Sequence, residues 1–358
     1  MTIPRWATDE SLKKNNFDFL RFFFAALVIF SHSFAVPVGS DDTEPLLIVT
    51  RGQVTLGGLA VDSFFMISGF LISLSWVRGR GVRDFAKKRA LRIYPGFFVV
   101  TLLGVIAAVA CAREPLALLK SVSPVSLVFK TLILAGYEPL GSFADLPFRT
   151  VNGSLWSIPY EVWCYVGVAV LGVIGLLTRR TFLLPLFFVS IVGSVVFVIL
   201  DLTPGGKILG VIFGAPVFWA RLLPFYLAGM VFFQLRDRIP SSPVLVGVCV
   251  LALVVAARVP AGMSVALPTA GGYLLFSFAF SSRVPLAGWG RRGDFSYGLY
   301  LYAFPIQQML LAKLGLDVAP MLLFVAAFPC VLAAAVASWF LIEKPALALK
   351  RARAPAQP

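Results

Sequence analysis

The chain of 358 residues contains one histidine, four cysteines and only 17 acidic residues, and no more than 13% of it is charged. A soluble protein carries about 25% charged residues, so a soluble domain of any size is excluded. Cys111, Cys164, Cys249 and Cys330 lie in or beside apolar runs without a Cys-x-x-Cys spacing. Without that spacing and with a single imidazole, no zinc or iron–sulfur site and no other metal is expected, and the cysteines read as packing residues. The shortage of acids leaves a net charge of +14. In a chain that is 59% hydrophobic this calls for no nucleic-acid partner; what matters is which loops hold the charge. The apolar run after Lys14 is too long for a signal-peptide core and no small-x-small site follows, so it reads as a retained first span.

What the chain does have is long apolar runs. A membrane-crossing helix needs about 20 apolar residues. Ten runs qualify, near 19–38, 57–77, 94–112, 156–176, 181–200, 217–235, 242–258, 263–281, 294–312 and 320–342. Loops on one side hold 22 of the 31 basic residues, Arg21 included; eight lie on the other side and Arg221 sits inside a span. By the positive-inside rule both termini are cytoplasmic. The reading is an all-α, polytopic bundle of about ten transmembrane helices: a single domain over 1–345 and a short basic tail over 346–358 that meets anionic headgroups. Residues 113–155, punctuated by Pro115 and Pro124, read as an interfacial or re-entrant segment over the outer face.

Arg21 and His32 lie on the first span. Eleven residues are about three helical turns, which places both on one face roughly 16 Å apart. An imidazole takes or gives a proton near neutral pH, and ionisable groups at membrane depth are functional by default. The plain alternative is a histidine that only bonds a neighbouring helix. The loop after the second span, 78–95, carries seven positive charges, with Arg89 and Arg92 at i and i+3. Two guanidinium forks so placed suit a polyphosphate, although a topogenic basic loop needs the same charges. Asp62 lies near the outer end of the second span, where it orients an imidazole or caps a helix; Ser68-Gly69 beyond it permits close helix approach. Glu161 enters the fourth span one to two turns below the surface, to orient His32, hold a polar substrate or pair with Arg221. Tyrosines in 296–305 recur at helical spacing and line an interhelical surface.

Four stretches in this order resemble the acyltransferase-3 family of bacterial membrane proteins: the Arg-x10-His of Arg21 and His32, the Phe-Phe-x-x-Ser-Gly-Phe of 64–70, the Arg-x-x-Arg of Arg89 and Arg92, and the Leu-Trp-Ser…Glu of 155–161. The resemblance runs from Phe17 to Pro345. It implies transfer of an acyl group, usually acetyl, from cytoplasmic acyl-CoA to a hydroxyl of a glycan or glycolipid on the outer side, as in O-acetylation of lipopolysaccharide or exopolysaccharide. It makes His32 the catalytic histidine, puts Arg21, Arg89 and Arg92 on the donor side, and places the protein in the bacterial inner membrane. Two departures stand out. Ala303 occupies a position where similar proteins often have a second histidine, and the sequence ends after the tenth span, without the periplasmic domain some members add. The transfer would then use a partner protein, a second copy, or neither.

An alcohol is a poor nucleophile toward a thioester and needs a base within hydrogen-bond reach. His32 is the imidazole available, with Glu161 or Asp62 fixing its tautomer; direct transfer and an acyl-histidine relay both fit. The rival reading is a transporter or flippase of a lipid-linked sugar, with Arg21 and Glu161 as substrate ligands.

Overall fold

The computed structural model describes residues 12, 14–202, 210 and 213–350. Arg5, Lys13, Lys207, Arg351 and Arg353, which entered the charge count, lie outside the described residues, as does the end of the tail.

A helix stands over each of the ten predicted spans: α1 Phe17–Val38, α2 Leu56–Val77, α3 Val82–Ala110, α4 Leu155–Val173, α5 Arg180–Ile199, α6 Pro216–Leu235, α7 Pro243–Ala256, α8 Gly262–Ala279, α9 Ser296–Leu314 and α10 Pro320–Ala348. Eight of them are long and apolar enough to cross a bilayer. The two exceptions are α7, with 14 residues, and α9, which carries glutamines, tyrosines and Lys313. The protein is therefore a multi-pass membrane helix bundle. Between α3 and α4, Pro115–Ser121 and Pro124–Leu132 form a pair of short helices bent by 63°, the shape of a broken span or a re-entrant loop.

Local chemistry sets the helix ends. Thr55 caps α2, its hydroxyl accepting from the Gly58 amide at 2.8 Å. Proline at the first position opens α6, α7 and α10, where an amide proton is not needed. The span expected from residue 94 begins as a helix at Val82, and Pro95 does not break it. The alanines, lysines and arginines ahead of Pro95 are strong helix formers, so the basic run forms the opening turns of α3 rather than a loop. Further along α3, Phe98, Leu102 and Ile106 are exposed while Phe97, Thr101 and Ala108 are buried. A helix apolar on both sides belongs in lipid.

The chain forms two compact units: Met1–Phe24, Pro45–Val82 and Tyr160–Arg292 in the first, Ala25–Glu44, Arg83–Pro159 and Gly293–Pro358 in the second. In the first unit α2 packs on α6 through facing glycines. A Cβ on Gly69 would strike the Tyr226 carbonyl, and one on Gly229 the Met66 carbonyl. Beside them Phe17, Phe70, Phe276 and Phe280 form a ring cluster. In the second unit α9 packs on α10 where Gly298 meets the backbone of Ala335. An apolar cluster at the far end of that unit joins Val36, Ala108, Leu118, Phe143, Phe304 and Leu311.

Candidate active site

His32 belongs to the second unit. Its ring stands edge-on to Phe304 of α9, with centroids 5.4 Å apart, and its Nδ1 is buried without a hydrogen-bond partner. One turn along α9, the side chain of Gln307 is completely buried; its Nε2 donates to the Ile29 carbonyl and to Ser33 Oγ, both at 2.9 Å. Those atoms belong to the turn of α1 that carries His32. The amide donors of Gln307 are therefore committed, and its Oε1 is left as a buried acceptor without a donor. Such an atom costs about 1–3 kcal/mol unless a donor arrives.

The segment before α4 is fastened to the same face of α9. Asn152 Nδ2 donates to the Leu301 carbonyl at 2.9 Å, and the Tyr300 hydroxyl donates to the Ser154 carbonyl at 2.6 Å. Gln308 Nε2 donates to the carbonyls of Phe148 and Thr150 at 2.6 and 3.0 Å. Gly153 has no room for a side chain because Phe304 fills the space. The Glu138 carboxylate accepts from Thr150 Oγ1 and the Val151 amide, both at 2.5 Å. The tyrosines of α9 do line an interhelical surface: Tyr297 bonds the Ile93 carbonyl and Tyr300 pairs with Ser157.

At one end of this unit lies a charged cluster. Arg92 is held by Asp294 at 2.6 Å and by Glu343 at 3.2 Å, and its guanidinium lies over Tyr297. Glu343 is 1% exposed and belongs to a π-helical turn at the end of α10, where Ser338 also bonds it. Arg89 lies over the ring of Phe85 on the same helix. At the other end a cavity of about 480 Å³ opens among Arg113, Glu114, Asp145 and an apolar floor of Leu118, Phe143 and Leu311. Along α9, Phe304 is seven residues from Tyr297 and seven from Leu311, about 10 Å each way. The imidazole thus stands midway between the cationic cluster and the cavity.

The family's sequence profile, an acyltransferase domain of the acyltransferase-3 type, matches residues 14–343. The chain belongs to the acyltransferase-3 family. It is therefore an acyltransferase, and the transporter alternative is set aside. An O-acetyl transferase of Shigella phage Sf6 is 30% identical over 339 residues, covering 93% of this chain and 96% of the relative. Nodulation protein 10 of Rhizobium leguminosarum bv. viciae is 27% identical over 359 residues, covering 94% of each. No solved structure matches.

The remaining expected site residues of this acyltransferase, Arg21, Asp62 and Glu161, belong to the first unit. Asp62 is buried and paired with Arg221 at 3.3 Å. A Cβ on Gly58 would press on that guanidinium, so the glycine makes room for it. Glu161 accepts from Ser68 Oγ at 3.1 Å and from the Tyr165 hydroxyl at 2.5 Å. The ion pair that the structure shows for Arg221 is with Asp62. Capping of α2 falls to Thr55, not to Asp62. Sequence reasoning missed Gln307, Glu138, Asp294 and Glu343. The last two carried a signal, being the carboxylates beside Arg291-Arg292 and Lys344 at the basic side of the chain.

Proposed function

We propose that this acyltransferase moves an acetyl group from cytoplasmic acetyl-CoA to a hydroxyl of an extracytoplasmic glycan or glycolipid, in the inner membrane of a bacterium. The observation that carries the reading is the place of the lone imidazole, in one compact unit, between a cationic cluster and a cavity with a charged rim. The name of the phage relative supports acetyl transfer to oxygen. Arg89 and Arg92 receive the donor phosphates, with Arg21 of α1 guiding the donor inward. Arg92 does so as an oriented group, since Asp294 and Glu343 fix its plane. The acceptor sugar enters by way of the cavity, where Arg113, Glu114 and Asp145 offer hydrogen bonds above an apolar floor.

In the step itself the acceptor hydroxyl oxygen attacks the thioester carbonyl carbon. A carbon–oxygen bond forms and the carbon–sulfur bond breaks. His32 takes the hydroxyl proton and returns it to the leaving thiolate, giving the ester and free CoA. An acyl-histidine relay reaches the same products in two steps: a carbon–nitrogen bond to His32 forms as the carbon–sulfur bond breaks, and it then breaks as the acceptor oxygen bonds the acyl carbon and gives up its proton. General-base help of this kind contributes about 10²–10⁴-fold. Asp62 and Glu161 are the proposed orienting carboxylates.

The test follows label from acetyl-CoA into glycan in membranes containing wild type or His32→Ala at matched expression. Label lost with His32, in a variant that still folds, supports both roles; equal label in the two removes His32 from the chemistry. Asp62→Asn and Glu161→Gln in the same assay identify the orienting carboxylate by a shifted pH profile of kcat; unchanged profiles in both would remove that role.

A further inference from the structure

The cytoplasmic-side cluster of the second unit is larger than the Arg-x-x-Arg pair. The opening turns of α3 carry six charged side chains: Arg83, Asp84, Lys87, Lys88, Arg89 and Arg92. Asp84 is bound to Lys88 at 2.6 Å. Asp294, ahead of α9, and Glu343, in α10, both go to Arg92. Lys344 lies over the ring of Phe340. The Lys87 ammonium donates to the Leu349 carbonyl at 2.9 Å, which pins the end of α10 against α3. That bond holds the next residue, Lys350, beside α3, where the charges of Arg89, Arg92 and Lys88 act on it. Both carboxylates that reach in from outside α3 are committed to Arg92, and the third is on Lys88. Among the described residues, the fold thus gathers like charges around a half-buried ammonium, and no carboxylate offsets them there.

We propose that Lys350 is a third cation of the donor site, binding the phosphates of acyl-CoA together with Arg89 and Arg92, and that the site takes up one proton from solvent at Lys350 when the phosphates bind. The proposal rests on the reading of this cluster as the donor site. Its physical basis is electrostatic. Burial, and then Arg89, Arg92 and Lys88, lower Lys350 from 10.5 to about 8, so near pH 8 the ammonium is partly deprotonated. A polyphosphate laid among these groups restores its proton. Lysine is the side chain suited to this, because its pKa moves with its surroundings, whereas arginine stays charged. The tail residue read as a headgroup contact is then part of the substrate site. An anionic lipid headgroup offers the same phosphate chemistry, and the experiment separates the two sources.

The full chain, purified in detergent, is titrated calorimetrically with CoA at pH 7 and pH 9 in two buffers of different ionisation enthalpy. Linkage from a pKa of about 8 predicts that wild type binds CoA about tenfold more weakly at pH 9 and takes up a proton there. Lys350→Arg is expected to bind as tightly at pH 9 as at pH 7, without proton uptake. Lys350→Met is expected to bind more weakly at pH 7 and to lose the pH slope, with a melting temperature no lower than wild type. A wild-type slope retained in Lys350→Arg overturns the role of Lys350 while leaving the donor site standing. Failure of wild type to bind CoA at either pH overturns the donor-site reading and the proposal with it. Repetition in nanodiscs of phosphatidylcholine, with and without phosphatidylglycerol, decides the source. A Lys350 dependence of CoA affinity that survives phosphatidylglycerol supports the nucleotide; one abolished by it makes the cluster a headgroup site and overturns the proposal.

Discussion

Gln307 lies one turn further along α9 than Ala303. Its amide holds the α1 turn of His32 by two hydrogen bonds from inside the core. Gln307→Leu removes both and leaves the Ser33 hydroxyl and the Ile29 carbonyl with fewer partners. The expected cost is about 1–3 kcal/mol of stability. If Gln307 positions the imidazole, kcat falls more than KM and the kcat pH profile shifts, whereas a purely structural role lowers the amount of folded enzyme and leaves both constants unchanged. Gln307→Glu, which keeps the shape but loses the paired donors, should behave like the leucine variant in steady-state kinetics.

At the scale of elements, close packing and loop fastening make different predictions. Gly69 and Gly229 let α2 and α6 touch backbone to backbone, and the obstructing atoms are carbonyls that cannot rotate away. Gly69→Ala should therefore destabilise by at least the ~1–3 kcal/mol of an overpacked core, or prevent folding. Gly167→Ala, on α4 with nothing near the added carbon, should be neutral or stabilise by up to about 1 kcal/mol. Thermal melting of the two variants in detergent checks the contrast. The segment before α4 depends instead on Glu138. Burial raises its carboxyl above the ordinary 4.5, although Thr150, the amides of Val151 and Asn152, and Lys130 pull the other way. A carboxyl raised in the folded state takes up a proton on folding. Its contribution is complete below pH 4.5 and is lost as pH rises through the higher folded value. Wild type should lose melting temperature over that window, and Glu138→Gln should flatten the slope.

For the whole molecule the charge asymmetry sets a direction. By the positive-inside rule the sequence predicts residues 78–92 on the cytoplasmic side and 113–155 outside, the orientation that the proposed donor site and acceptor cavity require. In a variant with all four cysteines replaced, Gly141→Cys should react with a membrane-impermeant maleimide in intact cells, and Gly79→Cys only after permeabilisation. The reverse pattern would invert the bundle and exclude cytoplasmic acyl-CoA as donor to Arg89 and Arg92.

Apolar runs, basic loops and four short motifs were enough, in the sequence by itself, to place ten helices, bring out the bent pair over 113–155, and point to the family. These are local quantities, because a span is a run of side chains and a motif is a spacing. Only the tertiary structure decided that Arg92 is held by Asp294 and Glu343, 202 and 251 residues away. It also paired Arg221 with Asp62, set Gln307 beneath the turn of His32, and pinned the chain at Leu349 onto α3. Each of these depends on which helices lie side by side and how they are rotated. Helices apolar on nearly every face carry little periodic signal to say so; the buried polar groups find partners only once the packing is made.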